Sequence, residues 1–196
     1  MIIQELKENG ELTNQLTHKF GKPYSLNQKL KTKKYGLGGL IYRLSNAEIS
    51  DFHDQYAGKV KTHVEPTSEG LIFRLWTSKA IRAFGIRYDQ IQFIELIKLE
   101  DTINPEIGSP MWILLKMKVP LKYARRFARF GEYECGPIDL KIQCHDCSFV
   151  QYEINGFSWD QATSFFNQDP LKNKARIEDE NTAGNKMQRS ALSKSK

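Results

Sequence analysis

Apolar and polar residues alternate with a period of two along several short stretches of this 196-residue chain. That alternation marks half-buried β-strands. The last pair of stretches is the clearest. Ile138, Leu140, Ile142 and Cys144 alternate with Asp139, Lys141 and Gln143, and Val150, Tyr152 and Ile154 alternate with Gln151, Glu153 and Asn155. His145-Asp146-Cys147-Ser148 joins them, which predicts a hairpin. Upstream, Leu71, Phe73 and Leu75 share a face, Phe84, Ile86 and Tyr88 repeat the pattern, and the short step across Tyr88-Asp89 predicts an antiparallel meander. In order, the pattern predicts seven strands, over 36–44, 70–77, 81–88, 91–99, 111–119, 138–144 and 149–155.

Helical signals punctuate this series. Ser45 followed by Glu48 forms a capping box ahead of Ile49, Phe52 and Tyr56, predicting a helix over 45–58 that Gly58 stops. Pro120 suits the first turn of a helix through LKYARRFARF, residues 121–130. Ser158 and Gln161 repeat the capping logic for a closing helix over 158–167, with Trp159, Ala162, Phe165 and Phe166 as its apolar stripe. Near the start, Leu12, Leu16 and Phe20 predict a short helix bounded by Gly10 and Gly21-Lys22-Pro23, and KLKTKK (29–34) reads as a basic linker. Gly36-Leu37-Gly38-Gly39 lacks the Gly-Lys-Ser/Thr of a phosphate loop and reads as a place where a strand bends. The expected organisation is a helical, basic extension over 1–35, a β-rich domain over 36–168 and a polar, mobile tail over 169–196.

Charge changes this picture less than its total suggests. The formal net charge is +6, but residues 1–35 and 170–196 contribute +4 each, leaving 36–169 at −2. A nucleic-acid binder places its basic stripe on the folded body, so nucleic acid is disfavoured as a partner. No run reaches the roughly 20 apolar residues of a membrane span. The opening MIIQELKENGEL has acids where a secretory signal has a basic region, and three cysteines make no disulfide framework, so the expected compartment is a reducing cytoplasm.

The segments FGIRYDQIQFIELIK and VQYEINGFSWDQATSFF, and the order of strands ending in a helix, resemble the pleckstrin-homology-like domains of bacteria. The resemblance covers roughly 36–168 and implies an α+β, mainly β fold: a bent antiparallel barrel of about seven strands closed by a C-terminal helix. The helices at 45–58 and 120–130 are insertions relative to that family. It further implies a binding or scaffold module that recognises a protein partner or an anionic lipid headgroup. A helix directly after the first strand also fits the helix-grip fold, whose internal apolar cavity implies a carrier or an enzyme, although its final helix is usually longer.

Candidate chemistry is sparse. Lys122, Arg125, Arg126 and Arg129, interleaved with Tyr123, Phe127 and Phe130, form the best candidate ligand site, suited to phosphate groups or an anionic membrane surface. The bland reading is a surface helix with solvated cations. Cys144 and Cys147 have C-x₂-C spacing, but half a zinc site is a common coincidence and the pair reads as part of a turn. No G-x-S-x-G, H-E-x-x-H or nucleophile–base grouping occurs, so neither catalysis nor a cofactor is expected.

Overall fold

The computed structural model describes residues 4–6, 10–32, 35–45, 60–77 and 80–181. The expected helix at 45–58 lies almost wholly outside them. The chain forms two compact units, Met1–Ile97 with Ile138–Glu178, and Lys98–Pro137 with Asp179–Lys196.

The first unit is built on one large sheet. Its strands are β1 (Gln4–Glu5), β2 (Leu37–Ser45), β3 (Lys61–Pro66), β4 (Gly70–Trp76), β5 (Ile81–Arg87), β6 (Ile91–Lys98), β9 (Ile138–Cys144), β10 (Phe149–Ile154) and β11 (Ala175–Asp179). Among the described residues they run in the order β1-β5-β4-β3-β2-β10-β9-β6-β11. Every pairing from β1 through to β9 is antiparallel. The expected closed barrel does not form: the hydrogen-bonded row has two ends, β1 and β11.

The sheet is nevertheless strongly curled. Phe73 on β4 and Tyr152 on β10 sit three strands apart, roughly 14 Å in a flat sheet. Their rings stack with centroids 5.6 Å apart and planes 2° from parallel. Phe84 stacks on the other side of Phe73 at 4.8 Å. Irregular pairing supplies part of the bend. The β2–β3 register shifts between Leu37 and Leu40, across Gly38 and Gly39, and Gly39 has φ +74°. A left-handed residue at a register shift is the signature of a bulge, which increases twist and bends the strand.

Alternation fills the concave side. Ile138, Leu140, Ile142, Val150, Tyr152 and Ile154 are fully buried, and their polar neighbours are only partly so. The closing helix α5 (Trp159–Phe166) adds Ala162, Phe165 and Phe166 to the same core. Its start differs from expectation, because Ser158 makes no side-chain cap. A 3-10 turn over Gly156–Ser158 precedes the helix, and Asn155 caps that turn by accepting from the Phe157 N–H at 2.9 Å.

Strand β3 has no counterpart among the expected strands, since Lys-Thr-His-Val-Glu-Pro has only one large apolar residue. Tertiary pairing overrides its composition. Glu65 is buried because two cations come to it, Lys29 at 2.5 Å and Arg74 at 2.9 Å. Lys29 belongs to helix α2 (Leu26–Thr32), so the stretch expected as a basic linker is partly helical and anchored to the sheet. Arg74 also donates to the Gly10 carbonyl at 3.0 Å.

His63 stands beside this knot, its ring centroid 6.2 Å from that of Trp76. Burial lowers its pKa from 6.5, Glu65 pulls the other way, and the Arg74 and Lys29 charges lower it further. The folded state therefore binds fewer protons than the unfolded chain below about pH 6.5. Stability is expected to fall as pH drops through that value and to level off below the folded pKa. His63→Gln should flatten this part of the profile, read as urea midpoints at about pH 5 and about pH 7.5; an unchanged slope contradicts it.

The N-terminal segment packs on the opposite side of β4 and β5. Helix α1 (Asn14–Phe20), capped by Thr13, buries Leu16 and Phe20 in a second small core with Leu6, Ile72 and Ala83. The Phe20 ring lies over Gly85, where an added Cβ would stand 2.5 Å from it. Thr67 anchors the end of the helix: its hydroxyl donates to the Phe20 carbonyl, and the Glu69 N–H donates to the same oxygen at 3.3 Å.

Residues 171–179, expected within the polar tail, contribute to the core and the sheet. Leu171 is buried in the main core, and Lys174 donates to the carbonyls of Tyr88 at 2.7 Å and Ile91 at 2.6 Å. Strand β11 follows beside β6. Its Arg176 side chain reaches Glu95 at 3.6 Å.

Candidate functional site: a basic, apolar surface on the second unit

The second unit begins where β6 ends. Two short strands, β7 (Thr102–Ile103) and β8 (Tyr133–Glu134), pair to close its base. Between them lie α3 (Pro110–Lys116), α4 (Leu121–Ala124) and a 3-10 turn over Arg125–Phe127. The strand expected over 111–119 is therefore a helix. A short apolar run such as Met111–Leu115 has no periodicity that separates strand from helix, and the decision rests on its start. Ser109 accepts from the Trp112 N–H at 3.1 Å and Pro110 occupies the first turn, a strong helix-start signal. The helix expected over 120–130 is broken. After Phe127 the chain becomes extended at Ala128, so Tyr123, Phe127 and Phe130 do not share one helical face.

Two carboxylates hold the unit together. Asp101 accepts from the Tyr133 hydroxyl at 2.8 Å and from the Gly136 N–H at 3.0 Å, with the Lys98 ammonium 3.2 Å away. Burial alone would raise its pKa, but these partners hold the carboxyl below its ordinary value. Burial and the neighbouring carboxylate push the Tyr133 hydroxyl up, so it stays a donor. Burial also raises the Cys135 thiol beside it.

The second carboxylate, Glu132, is 1% exposed. It accepts from the Glu106 N–H at 3.0 Å and the Arg129 N–H at 2.6 Å, and bonds to Ser109 and Arg129 keep it ionised below the usual carboxylate range. One side chain thus ties together two loop tips. The residue after each bonded amide is apolar and exposed: Ile107 at 88% and Phe130 at 107%. A left-handed glycine follows each, Gly108 with φ +83° and Gly131 with φ +85°. Only glycine adopts that conformation without strain, so both tips are built to turn sharply just after an apolar side chain.

The four candidate cations of 122–129 divide. Arg125 is half-buried and donates to the Tyr133 hydroxyl at 3.0 Å. Lys122, Arg126 and Arg129 are exposed; Lys122 lies 4.8 Å from the Tyr123 ring centroid, and Arg129 is 3.6 Å from Glu106. Sequence reasoning missed two further exposed cations, Lys116 and Lys118, because the apolar pattern places them on a strand. Lys116 lies 5.4 Å from the Trp112 ring centroid. Met117, Tyr123 and Phe127 are exposed on the same stretch.

Charge counted by segment would have found this surface. Residues 110–130 contain six Lys or Arg and no carboxylate, while the rest of 36–169 has nine cations against seventeen carboxylates. The body's total of −2 averages a strongly basic segment into an acidic remainder.

The cysteine pair has a different character. Cys144 is buried in the main core and Cys147 is exposed on the turn. Burial raises the Cys144 thiol, which disfavours a thiolate ligand. Among the described residues no three His, Cys, Asp or Glu side chains come together as a metal site. No helix among them is long and apolar enough to cross a membrane. No family model, curated protein or solved structure matches the chain.

Proposed function

We propose that the chain is a non-catalytic binding module that takes an anionic partner on the surface formed by residues 107–130, carried by a pleckstrin-homology-like domain. The observation that carries this reading is the coincidence of six cations, no carboxylate and several exposed large apolar side chains in 110–130. Opposite charge raises the encounter rate and local concentration of an anionic partner, and exposed aromatic groups add contact area. The pleckstrin-like part of the reading is supported by the strand order β5-β4-β3-β2-β10-β9-β6 and by a helix packed on the core directly after β10. A helix-grip carrier finds less support. The stacked rings of Phe84, Phe73 and Tyr152 fill the middle of the core, where such a carrier needs a cavity.

Retention on an immobilised sulfated polysaccharide tests the reading. Lys116→Glu, Lys118→Glu, Lys122→Glu and Arg126→Glu combined should elute the protein at clearly lower salt than wild type. Charge reversal of Lys19, Lys22 and Lys31 in the N-terminal extension should have a smaller effect. The opposite ranking would assign the basic behaviour to the flanks and end the proposal.

A further inference from the structure

We infer that the anionic partner is a lipid bilayer, and that Ile107 and Phe130 form an apolar wedge that enters its headgroup–acyl boundary while the surrounding cations rest on the headgroups. This rests on reading 107–130 as the anion-binding surface and adds the physical state of the partner. Three observations point to a bilayer over a soluble polyanion.

The first is the degree of exposure. Phe130 and Ile107 are almost bare, at 107% and 88%, and Met117 is 69% exposed. Side chains that meet a folded partner usually sit in a flatter patch ringed by polar groups, whereas isolated protruding apolar tips suit a fluid apolar phase. The second is the clamp. Glu132 bonds both tip segments through the Glu106 and Arg129 amides, and Arg129 pairs with Glu106 across the gap, so the two tips are presented together. The buried clamp spends its charge on backbone amides and leaves the exposed charges of 110–130 uniformly positive. The third is the charge pattern. Lys116, Lys118, Lys122 and Arg126 are exposed and lie between the apolar tips in sequence, the arrangement that anchors interfacial segments on anionic leaflets. A single-stranded nucleic acid would use the same cations and could stack a base on Phe130, but it gains little from the bare aliphatic Ile107, which a bilayer buries.

Co-sedimentation of the full chain with vesicles provides the test. The probes are vesicles of phosphatidylcholine alone and of phosphatidylcholine with about one-third phosphatidylserine, a composition in the range that gives a strongly negative surface. Wild type should bind the anionic vesicles and bind the neutral ones at least about tenfold more weakly. Each of Lys116→Ala, Lys118→Ala, Lys122→Ala and Arg126→Ala should weaken binding about three- to fivefold. Ile107→Ala with Phe130→Ala should weaken it about tenfold or more, while lowering polysaccharide retention far less than the combined charge reversals do. Phe130→Trp, at a bare position that tolerates substitution, should shift its emission to the blue when anionic vesicles are added. If the wedge variant binds vesicles like wild type and the emission of the Phe130→Trp variant stays fixed, the bilayer inference fails and the anion-binding reading stands. If neither vesicles nor the polysaccharide bind, the underlying reading fails as well. Binding to single-stranded RNA with no vesicle binding would transfer the surface to nucleic acid and overturn the inference.

Discussion

Phe73→Ala is expected to remove about 3–5 kcal/mol of stability, the range for emptying a fully buried aromatic position. Folded domains of this size hold only about 5–15 kcal/mol, so the variant should be close to unfolding at 37 °C. The reason is geometric. Phe73 is sandwiched between Phe84 and Tyr152, 4.8 Å and 5.6 Å away, and it bridges two parts of the sheet that are neighbours only because the sheet curls. Its loss opens a cavity at the centre of the curl, where neighbours on both sides are held by strand pairing and cannot collapse inward. Phe20→Ala is a useful contrast. Phe20 is 4% exposed, but it belongs to the small core under the N-terminal segment. Its removal should free that segment, seen as faster proteolysis near residues 13–25, before the main sheet melts. Denaturant melts followed by far-UV circular dichroism separate the cases. A loss below about 1 kcal/mol for Phe73→Ala would contradict the curled core described here.

The second large effect belongs to the other unit. Asp101→Ala should cost about 2–4 kcal/mol there, because it strands the Lys98 ammonium in a site where both side chains are under 10% exposed. It also removes the bonds that the Tyr133 hydroxyl and the Gly136 N–H donate to this carboxylate. Replacing both members of the pair, Lys98→Met with Asp101→Leu, should recover part of the loss, since the cost lies mainly in the uncompensated charge. A pH effect of fixed sign accompanies this. The Asp101 carboxyl is held below its ordinary value, so the folded state binds fewer protons than the unfolded chain around pH 4. Its contribution is present above the unfolded pKa and is lost as pH falls through the folded one. Wild type should therefore lose stability below about pH 4 more steeply than the Lys98→Met/Asp101→Leu variant. Equal slopes would show that the pair contributes nothing.

How much of this could be read from the sequence follows from where local pattern determines structure. The hairpin of β9 and β10 was legible to within one residue because its alternation is strict and one face is buried. The strands β4, β5 and β6 were legible for the same reason, but the meander stops at β5: β4 pairs antiparallel with β5, whereas β6 lies between β9 and β11 instead of beside β5. Strand β3 was hidden, since its burial depends on Lys29 and Arg74 reaching Glu65 from distant points of the chain. Strand β11 was hidden by a polar composition that edge strands favour, and its position rests on Leu171 and Lys174 just before it. Closure of the barrel could not be judged from strand count, because it depends on whether the outermost strands meet. Helix α3 reads as a strand from its apolar run, although Ser109-Pro110 carries the right signal, a cap and a first-turn proline directly before it.

The candidate surface was half legible. Four of its cations were visible as a cluster, yet Arg125 is engaged by the Tyr133 hydroxyl, which spacing on an assumed helix could not reveal. The apolar tips escaped notice because a lone Ile before Gly108 and a lone Phe before Gly131 carry no periodicity. Their significance comes from Glu132, whose two bonds to backbone amides bring the tips together. Glu132→Gln keeps the shape but turns one of the two acceptor oxygens into an NH2 group facing a backbone N–H, so one bond is lost and the other is no longer charge-assisted; it should reduce vesicle binding without altering the exposed cations.

Amide hydrogen exchange on the intact chain, with and without phosphatidylserine-containing vesicles, tests the central claim most directly. Added protection is expected in residues 107–130, strongest in α3 and around Phe127–Gly131, with little change in β2 to β5. Protection confined to the N-terminal extension or to the sheet, with 107–130 unchanged, would contradict it.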